Sequence, residues 1–276
     1  MRRLTFIATP SSRPAAQTFR RAFMDKTATW SVSIEECSTI AEAQRACSGA
    51  DHAYVVAAPF RSILVGEAAM LGSSARLTQG ADIMLRGTSQ RLAVSQVARA
   101  AIDAMEQVYL PVFGAHVVVL GSGSAALDFA YELSRAGVDE VIILDDDKER
   151  ARNNVEAFLD AYDRDKTRII DTEASREGHL SALRAYEHTS YLFGSFSSRS
   201  RIASADVVID ASFGRAPSFG AAVFREAQIV CDPWGVSESF QCAEEVGFDV
   251  LSSEEVMRCW GAQAADLFTD LVRADL

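Results

Sequence analysis

Gly121, Gly123, Ala126 and Asp145 are the residues whose types and spacing point most directly to chemistry in this 276-residue chain. They stand in one run. His116-Val-Val-Val-Leu120 leads into Gly121-Ser-Gly123-Ser-Ala-Ala126, and an amphipathic stretch follows to Ala136, where Gly137 breaks it. A second apolar run, Val141 to Leu144, then ends on Asp145. Strand, glycine turn, helix, strand and acid is the order that a mononucleotide-binding βαβ unit requires. Gly121 permits the tight turn, Gly123 lets backbone N–H groups approach a pyrophosphate, and Ala126 lets the helix pack close to the strand. The helix N-terminus turns its partial positive charge toward the phosphates. A carboxylate at Asp145 can accept from ribose hydroxyls. Gly121, Ser122, Gly123, Ser124, Ala125 and Asp145 are therefore the expected cofactor-binding residues.

The elements that must position this loop follow from hydrophobic periodicity. In the first half, Leu4–Ala8 and Ala53–Ala57 read as strands, and Ala15–Met24, Ile40–Cys47 and Ile63–Leu71 as helices. From Gly87 to Gln107, apolar residues at Leu92, Val94, Val97, Ala101, Ile102 and Met105 suggest a long connecting helix. Pro111 and Gly114 punctuate a boundary. Beyond the βαβ unit, 168–171, 206–210, 228–231 and 248–251 are strand candidates in a mostly parallel, doubly wound sheet. Residues 194–204 read as a polar loop in which Arg199 and Arg201 can meet a phosphate or an acid. Glu254 to Leu271 forms one helix with a broad apolar face. The expected architecture is α/β. An N-terminal substrate-type domain spans 1–108 and is completed by a helix over 252–276 that returns to it. A Rossmann-like nucleotide domain spans 109–251.

Composition narrows the function. A net charge of −11 argues against general nucleic-acid binding, which needs clustered Lys and Arg. No run is long enough to span a bilayer, and the apolar run after Arg2 and Arg3 is too short for a secretory signal. The five cysteines (Cys37, Cys47, Cys231, Cys242, Cys259) form no C-x-x-C pair, which fits a reduced, cytoplasmic protein without a disulfide frame or zinc site. The four histidines (His52, His116, His179, His188) have no metal-ligand spacing.

The whole arrangement resembles the shikimate dehydrogenase family. The resemblance rests on Val117–Ala126 with Gly137-Val-Asp-Glu-Val-Ile-Ile-Leu144, on Ala205-Asp-Val-Val-Ile-Asp-Ala211-Ser212, and on Gly247–Leu251 continued by Gly261-Ala-Gln-Ala-Ala-Asp-Leu-Phe-Thr269. It implies a nicotinamide cofactor, with Ala211 and Ser212 near its reactive end. Relatives that use NADP carry Asn-Arg-Thr after the second strand. Asp145-Asp146-Asp147 stands there in this chain, and carboxylates repel a 2′-phosphate, so NAD(H) is expected.

The catalytic set of the family is not kept. Its Val-Thr-x-Pro-x-Lys aligns with Val55-Val-Ala-Ala-Pro59-Phe-Arg61, placing Arg61 at the lysine. Arginine stays protonated and cannot relay a proton as a tuned lysine can. The partner aspartate falls on Val97, the family asparagine falls near Asp82 with Ile83 as the competing alignment, and the substrate-binding glutamine of the last helix falls on Trp260. The carboxylate-gripping Ser-x-Ser-Pro reads Ser11-Ser-Arg13-Pro14. Ser11, Arg13, Arg61, Asp82 and Trp260 are the expected lining of an interdomain substrate cleft, with Asp82 and Glu67 as the available carboxylates. Trp260 as core filling and Arg61 reaching outward is the alternative placement. Three functions follow. The first is an NAD-dependent oxidoreductase acting on a substrate other than shikimate, in a specialised biosynthetic pathway. The second is an inactive relative that binds a peptide or intermediate, and a homodimer is compatible with either. The third is an ATP-binding enzyme of the ubiquitin-activating type, suggested by Asp145-x-Asp147 followed by Asn153.

Overall fold

A computed structural model describes residues 1–87, 90–108, 112–173, 189–225, 228–238, 240 and 249–273. The chain forms two compact units: Met1–Gln107 with Asp232–Val236 and Leu251–Leu276, and Val108–Cys231 with Ser237–Val250.

The first unit is built on strands β1 (Arg2–Ala8), β2 (Trp30–Glu36), β3 (Ala53–Val56), β4 (Met70–Leu71), β5 (Ile83–Arg86) and β6 (Arg91–Val94). They form one mixed sheet in the order β2-β1-β3-β5-β6-β4. β1 runs parallel to β2 and β3, and β5 runs antiparallel to both β3 and β6. Its helices are α1 (Arg13–Lys26), α2 (Ile40–Cys47), α3 (Arg61–Glu67), α4 (Ser73–Thr78) and α5 (Val97–Val108). Thr39 and Glu42 close a reciprocal capping box on α2.

The C-terminal helix, which belongs to this unit, begins at Ser253 and runs to Arg273. Ser252 and Glu255 exchange hydrogen bonds at its start. Gly261 sits where a Cβ would lie 2.6 Å from the Phe19 carbonyl oxygen and 3.1 Å from the Phe23 nitrogen, so this helix meets the backbone of α1 directly. Around that crossing Phe6, Phe19, Phe23, Trp30 and Phe268 stack edge-to-face with one another and with Trp260.

The second unit holds β7 (His116–Leu120), α6 (Ser124–Arg135), β8 (Glu140–Asp145), α7 (Lys148–Glu173), β9 (Ser190–Ser195), α8 (Arg199–Ser204), β10 (Val207–Asp210), β11 (Ile229–Cys231) and β12 (Asp249–Leu251). The helix Ser253–Arg273 is α9. The strand order is β12-β11-β10-β7-β8-β9, and each pairing from β11 through to β9 is parallel. This is the dinucleotide-fold order, which reverses direction between β7 and β10.

Four expectations are corrected. Residues 168–171 lie inside α7; Ala151, Val155 and Phe158 recur at helical spacing on its buried face, and the third strand of the half-sheet is β9 instead. The long helix from Gly87 begins only at Val97, because Leu92 and Val94 alternate along β6 in an antiparallel ladder with β5. The helix from Ile63 stops at Glu67, and Met70–Leu71 joins the sheet beside β6. Within 194–204, Gly194 and Ser195 end β9 and Arg199–Ser204 is helical. Strands β2 and β5 are additions that the sequence pattern does not reveal. Pro111, His179, His188, Cys242 and Phe248 lie outside the described residues.

Candidate functional site

In the second unit, the loop after β7 and the loop after β10 meet where the strand order reverses. Gly121 has φ +99°, and a Cβ there would lie 2.9 Å from the Ser212 Cα. Only glycine satisfies both the left-handed backbone and this approach. Gly121 is thus spent on packing two strand ends together. Gly123 differs, because a Cβ built there meets nothing within 4 Å. It is the N-cap of α6 and offers no side-chain cap, and Ser124 opens the helix half-exposed. The N–H groups of the first helical turn therefore have no cap from the residue that normally supplies one, the condition under which a phosphate binds there. Ala125 and Ala126 are buried behind it. An uncapped helix start, open space at Gly123 and small residues behind fit the pyrophosphate of a dinucleotide.

Asp145 ends β8 and is only 2% exposed. The Ser122 hydroxyl donates to its Oδ2 at 2.6 Å. The Asp146 backbone N–H donates to its Oδ1 at 2.7 Å, and Arg150 pairs with both Asp145 and Asp146. Burial works to raise the pKa of this carboxyl. Hydrogen bonds with Asp146, Ser122 and Arg150, and the Arg150 charge, outweigh that and hold it far below the ordinary range. Asn154 on α7 donates through Nδ2 to the Ser122 carbonyl at 2.9 Å. The expectation of an open acceptor for ribose is corrected: Asp145 is the centre of a network that fixes the glycine loop to β8 and α7. Asn153, the residue behind the ATP-binding reading, lies on the exposed face of α7.

Ala211 and Ser212 follow β10, and both are buried. Asp210 accepts from the Ser212 backbone N–H at 2.8 Å and from its hydroxyl at 2.6 Å, and the Ser212 hydroxyl accepts from the Ala216 N–H at 2.8 Å. Phe213 and Gly214 both take positive φ, so this loop is tightly wound against the glycine turn. Burial raises the pKa of Asp210 despite hydrogen bonds from Ser212 and Ser237. Of the two arginines singled out at 199 and 201, Arg199 is exposed and Arg201 half-buried on α8.

The first unit holds Arg61, Asp82 and Val97, the residues expected from the sequence at the catalytic positions. Arg61, the first residue of α3, is 1% exposed, and Asp82, just before β5, is fully buried. The Arg61 guanidinium lies 3.4 Å from Asp82 Oδ2 and donates to Ser95 Oγ at 2.8 Å. Asp82 in turn accepts from the backbone N–H of Gln96 at 2.9 Å and of Val97 at 3.2 Å. The carboxylate therefore caps α5 from the residue before β5 and sets where that helix begins. Arg61 does not reach outward.

The other expected lining residues are dispersed. Trp260 is fully buried in the aromatic cluster, edge-on to Phe6, Phe19 and Trp234, and so does not line a cleft. Arg13 is exposed and paired with Glu36. Ser11 is exposed, and the buried hydroxyl of that turn is Ser12, bonded to Thr9. Glu67 pairs with Arg91 at the surface. Arg150 and Asn154 were missed by sequence reasoning, although an arginine one turn into the helix after an acidic strand end was a usable signal. No cluster of metal-binding side chains occurs among the described residues, and no helix among them is long and apolar enough to cross a membrane.

No family model matches the sequence, and no curated protein matches it. Solved structures do match along nearly the whole chain. Shikimate 5-dehydrogenase from Thermus thermophilus, solved with NADP(H) and shikimate, superposes with a TM-score of 0.70 at 14% identity, covering 98% of this chain and 94% of that one. Shikimate 5-dehydrogenase from Listeria monocytogenes, solved with shikimate and NAD, gives 0.68 at 16% identity over 98% and 92%. The 5-ketofructose reductase of a Gluconobacter species gives 0.67 at 15% identity over 98% and 93%. The chain has the shikimate-dehydrogenase-like fold.

Proposed function

We propose that this chain is a divergent oxidoreductase of the shikimate-dehydrogenase-like fold that binds NAD(H) and acts on a substrate other than shikimate. The observation that carries the reading is the open, uncapped start of α6 at Gly123, set beside a Gly121 that is locked against Ser212. Gly123, Ser124 and the α6 N-terminus would hold the pyrophosphate, and Ala211 and Ser212 would flank the nicotinamide. A bound nicotinamide supplies or accepts a hydride. Asp145 ends β8, Asp146 and Asp147 follow it, and Arg150 is committed to the first two of these carboxylates, which supports NAD over NADP. The thiols of Cys37, Cys47 and Cys259, which form no disulfide, support a reducing, cytoplasmic setting.

The same geometry argues against shikimate chemistry. The residue at the lysine position is fixed in its charged state, and Asp82 spends its lone pairs on Arg61 and two backbone N–H groups. Val97, at the aspartate position, is buried and aliphatic. This sealed pair also favours a second reading, a protein that holds a small ligand or peptide without turning it over. Titration with NADH and NADPH, followed by a screen for hydride transfer to small carbonyl compounds, separates them. NADH binding with turnover supports the first reading and NADH binding without turnover the second. Absence of nucleotide binding, or tighter NADPH binding, overturns the cofactor assignment.

A further inference from the structure

A cavity of about 260 Å³ lies in the first unit, away from the residues just described. Its walls come from the N-terminal ends of the parallel strands: Arg2 opens β1, Trp30 opens β2, and His52 precedes β3. Arg86 closes it from the end of antiparallel β5. Arg61 and Asp82 lie at the opposite edge of the same sheet, after β3 and before β5. Leu85, Leu92, Met70 and Leu271 supply apolar walls.

The charge of this cavity is out of keeping with the chain, whose net charge is −11. The Arg86 Nε is cut off from solvent and makes no hydrogen bond. Among the described residues no carboxylate pairs with Arg86 or with Arg2, whose guanidinium lies 5.8 Å from the Trp30 ring centre. The one acid in the wall, Asp51, is engaged by Arg3 at 2.9 Å and by Thr5. His52 accepts the Arg3 N–H at Nδ1, which leaves Nε2–H as a further donor. Arg86 thus lines the cavity as a cation with no described carboxylate against it, and a carboxylate is the natural complement of a guanidinium. The volume falls just below the range of about 300–1,000 Å³ typical of drug-sized ligands, enough for one ring and a short chain.

We propose that this cavity binds a small aryl carboxylate, its acid on Arg86 and its ring against Trp30 and the leucines. The test uses the full-length protein with 3-phenylpropanoate as probe and its neutral amide as control, read by calorimetry and by tryptophan emission. The acid is expected to bind saturably and perturb emission, with the emission change lost in Trp30→Phe. The amide, and the acid on Arg86→Gln, should each bind at least about tenfold more weakly. Should Arg86→Gln fail to fold, the acid–amide comparison on the unaltered protein still decides. Lack of saturable acid binding, equal binding of acid and amide, or undiminished binding by a folded Arg86→Gln would overturn the proposal.

Discussion

Removing the Asp82 carboxylate tests the claim that Arg61 and Asp82 form a structural pair and not a proton relay. Both side chains are almost wholly out of water, at 1% and 0% exposure. Asp82→Asn keeps the shape and an oxygen that can still accept from the α5 backbone, but leaves the Arg61 charge buried without a counter-charge. Breaking a buried pair from one side typically costs about 3–5 kcal/mol. Asp82→Ala should cost about 1 kcal/mol more, because the cap on α5 goes as well. Arg61→Met combined with Asp82→Asn removes both charges and should be more stable than Asp82→Asn alone, since the uncompensated charge is the main cost. Trp30, Trp234 and Trp260 all belong to the first unit, so tryptophan emission during urea unfolding reports on it selectively. A loss below about 1 kcal/mol for Asp82→Asn, or a double variant no more stable than Asp82→Asn, would refute the reasoning.

Three further outcomes are expected. Gly261→Ala drives a methyl group into the Phe19 carbonyl 2.6 Å away and should destabilise the first unit by about 1–3 kcal/mol in the same urea assay. Asp145 has a folded pKa below its unfolded value of about 3.9, so its contribution to stability is complete above that pH and fades as pH falls beneath it; Asp145→Asn should flatten this acid limb in thermal melts from pH 6 to pH 2 (roughly the span that brackets the unfolded value). The unaltered protein should oxidise no shikimate with either nicotinamide, because general acid–base catalysis worth about 10²–10⁴-fold has no relay. Restoring the family pattern requires Arg61→Lys, Val97→Asp and Asp82→Asn together, since a second carboxylate beside Asp82 would face like charge; shikimate turnover by the unaltered chain would show the alignment to be wrong.

The fold was legible wherever a local pattern decides the structure. The βαβ unit from His116 to Asp145 is set by a glycine turn, a 3.6-residue period and two apolar runs, all within reach of sequence reasoning. Where a partner distant in sequence decides, the sequence misled. Leu92 and Val94 fit a helical wheel as well as a strand, and only the ladder with β5 makes them β6. The start of α5 is fixed by Asp82, a carboxylate 15 residues upstream of Val97, which no local capping rule would find. The candidate site divides along the same line. Glycine positions were readable because their role is steric and local, whereas the state of a charged group depends on what the fold brings against it. Arg61, Arg13 and Trp260 form one ligand-facing set on chemical type alone. Their neighbours separate them: Asp82 buries the first, Glu36 holds the second at the surface, and the third disappears among Phe6, Phe19 and Trp234. Substituting lysine by arginine at a buried site exchanges a titratable group for a permanent cation, and such a site must then supply an anion beside it. Asp82 is that anion. Asp82 thus balances the Arg61 charge inside the first unit, and no acid at position 97, where Val97 is buried, is needed to do so.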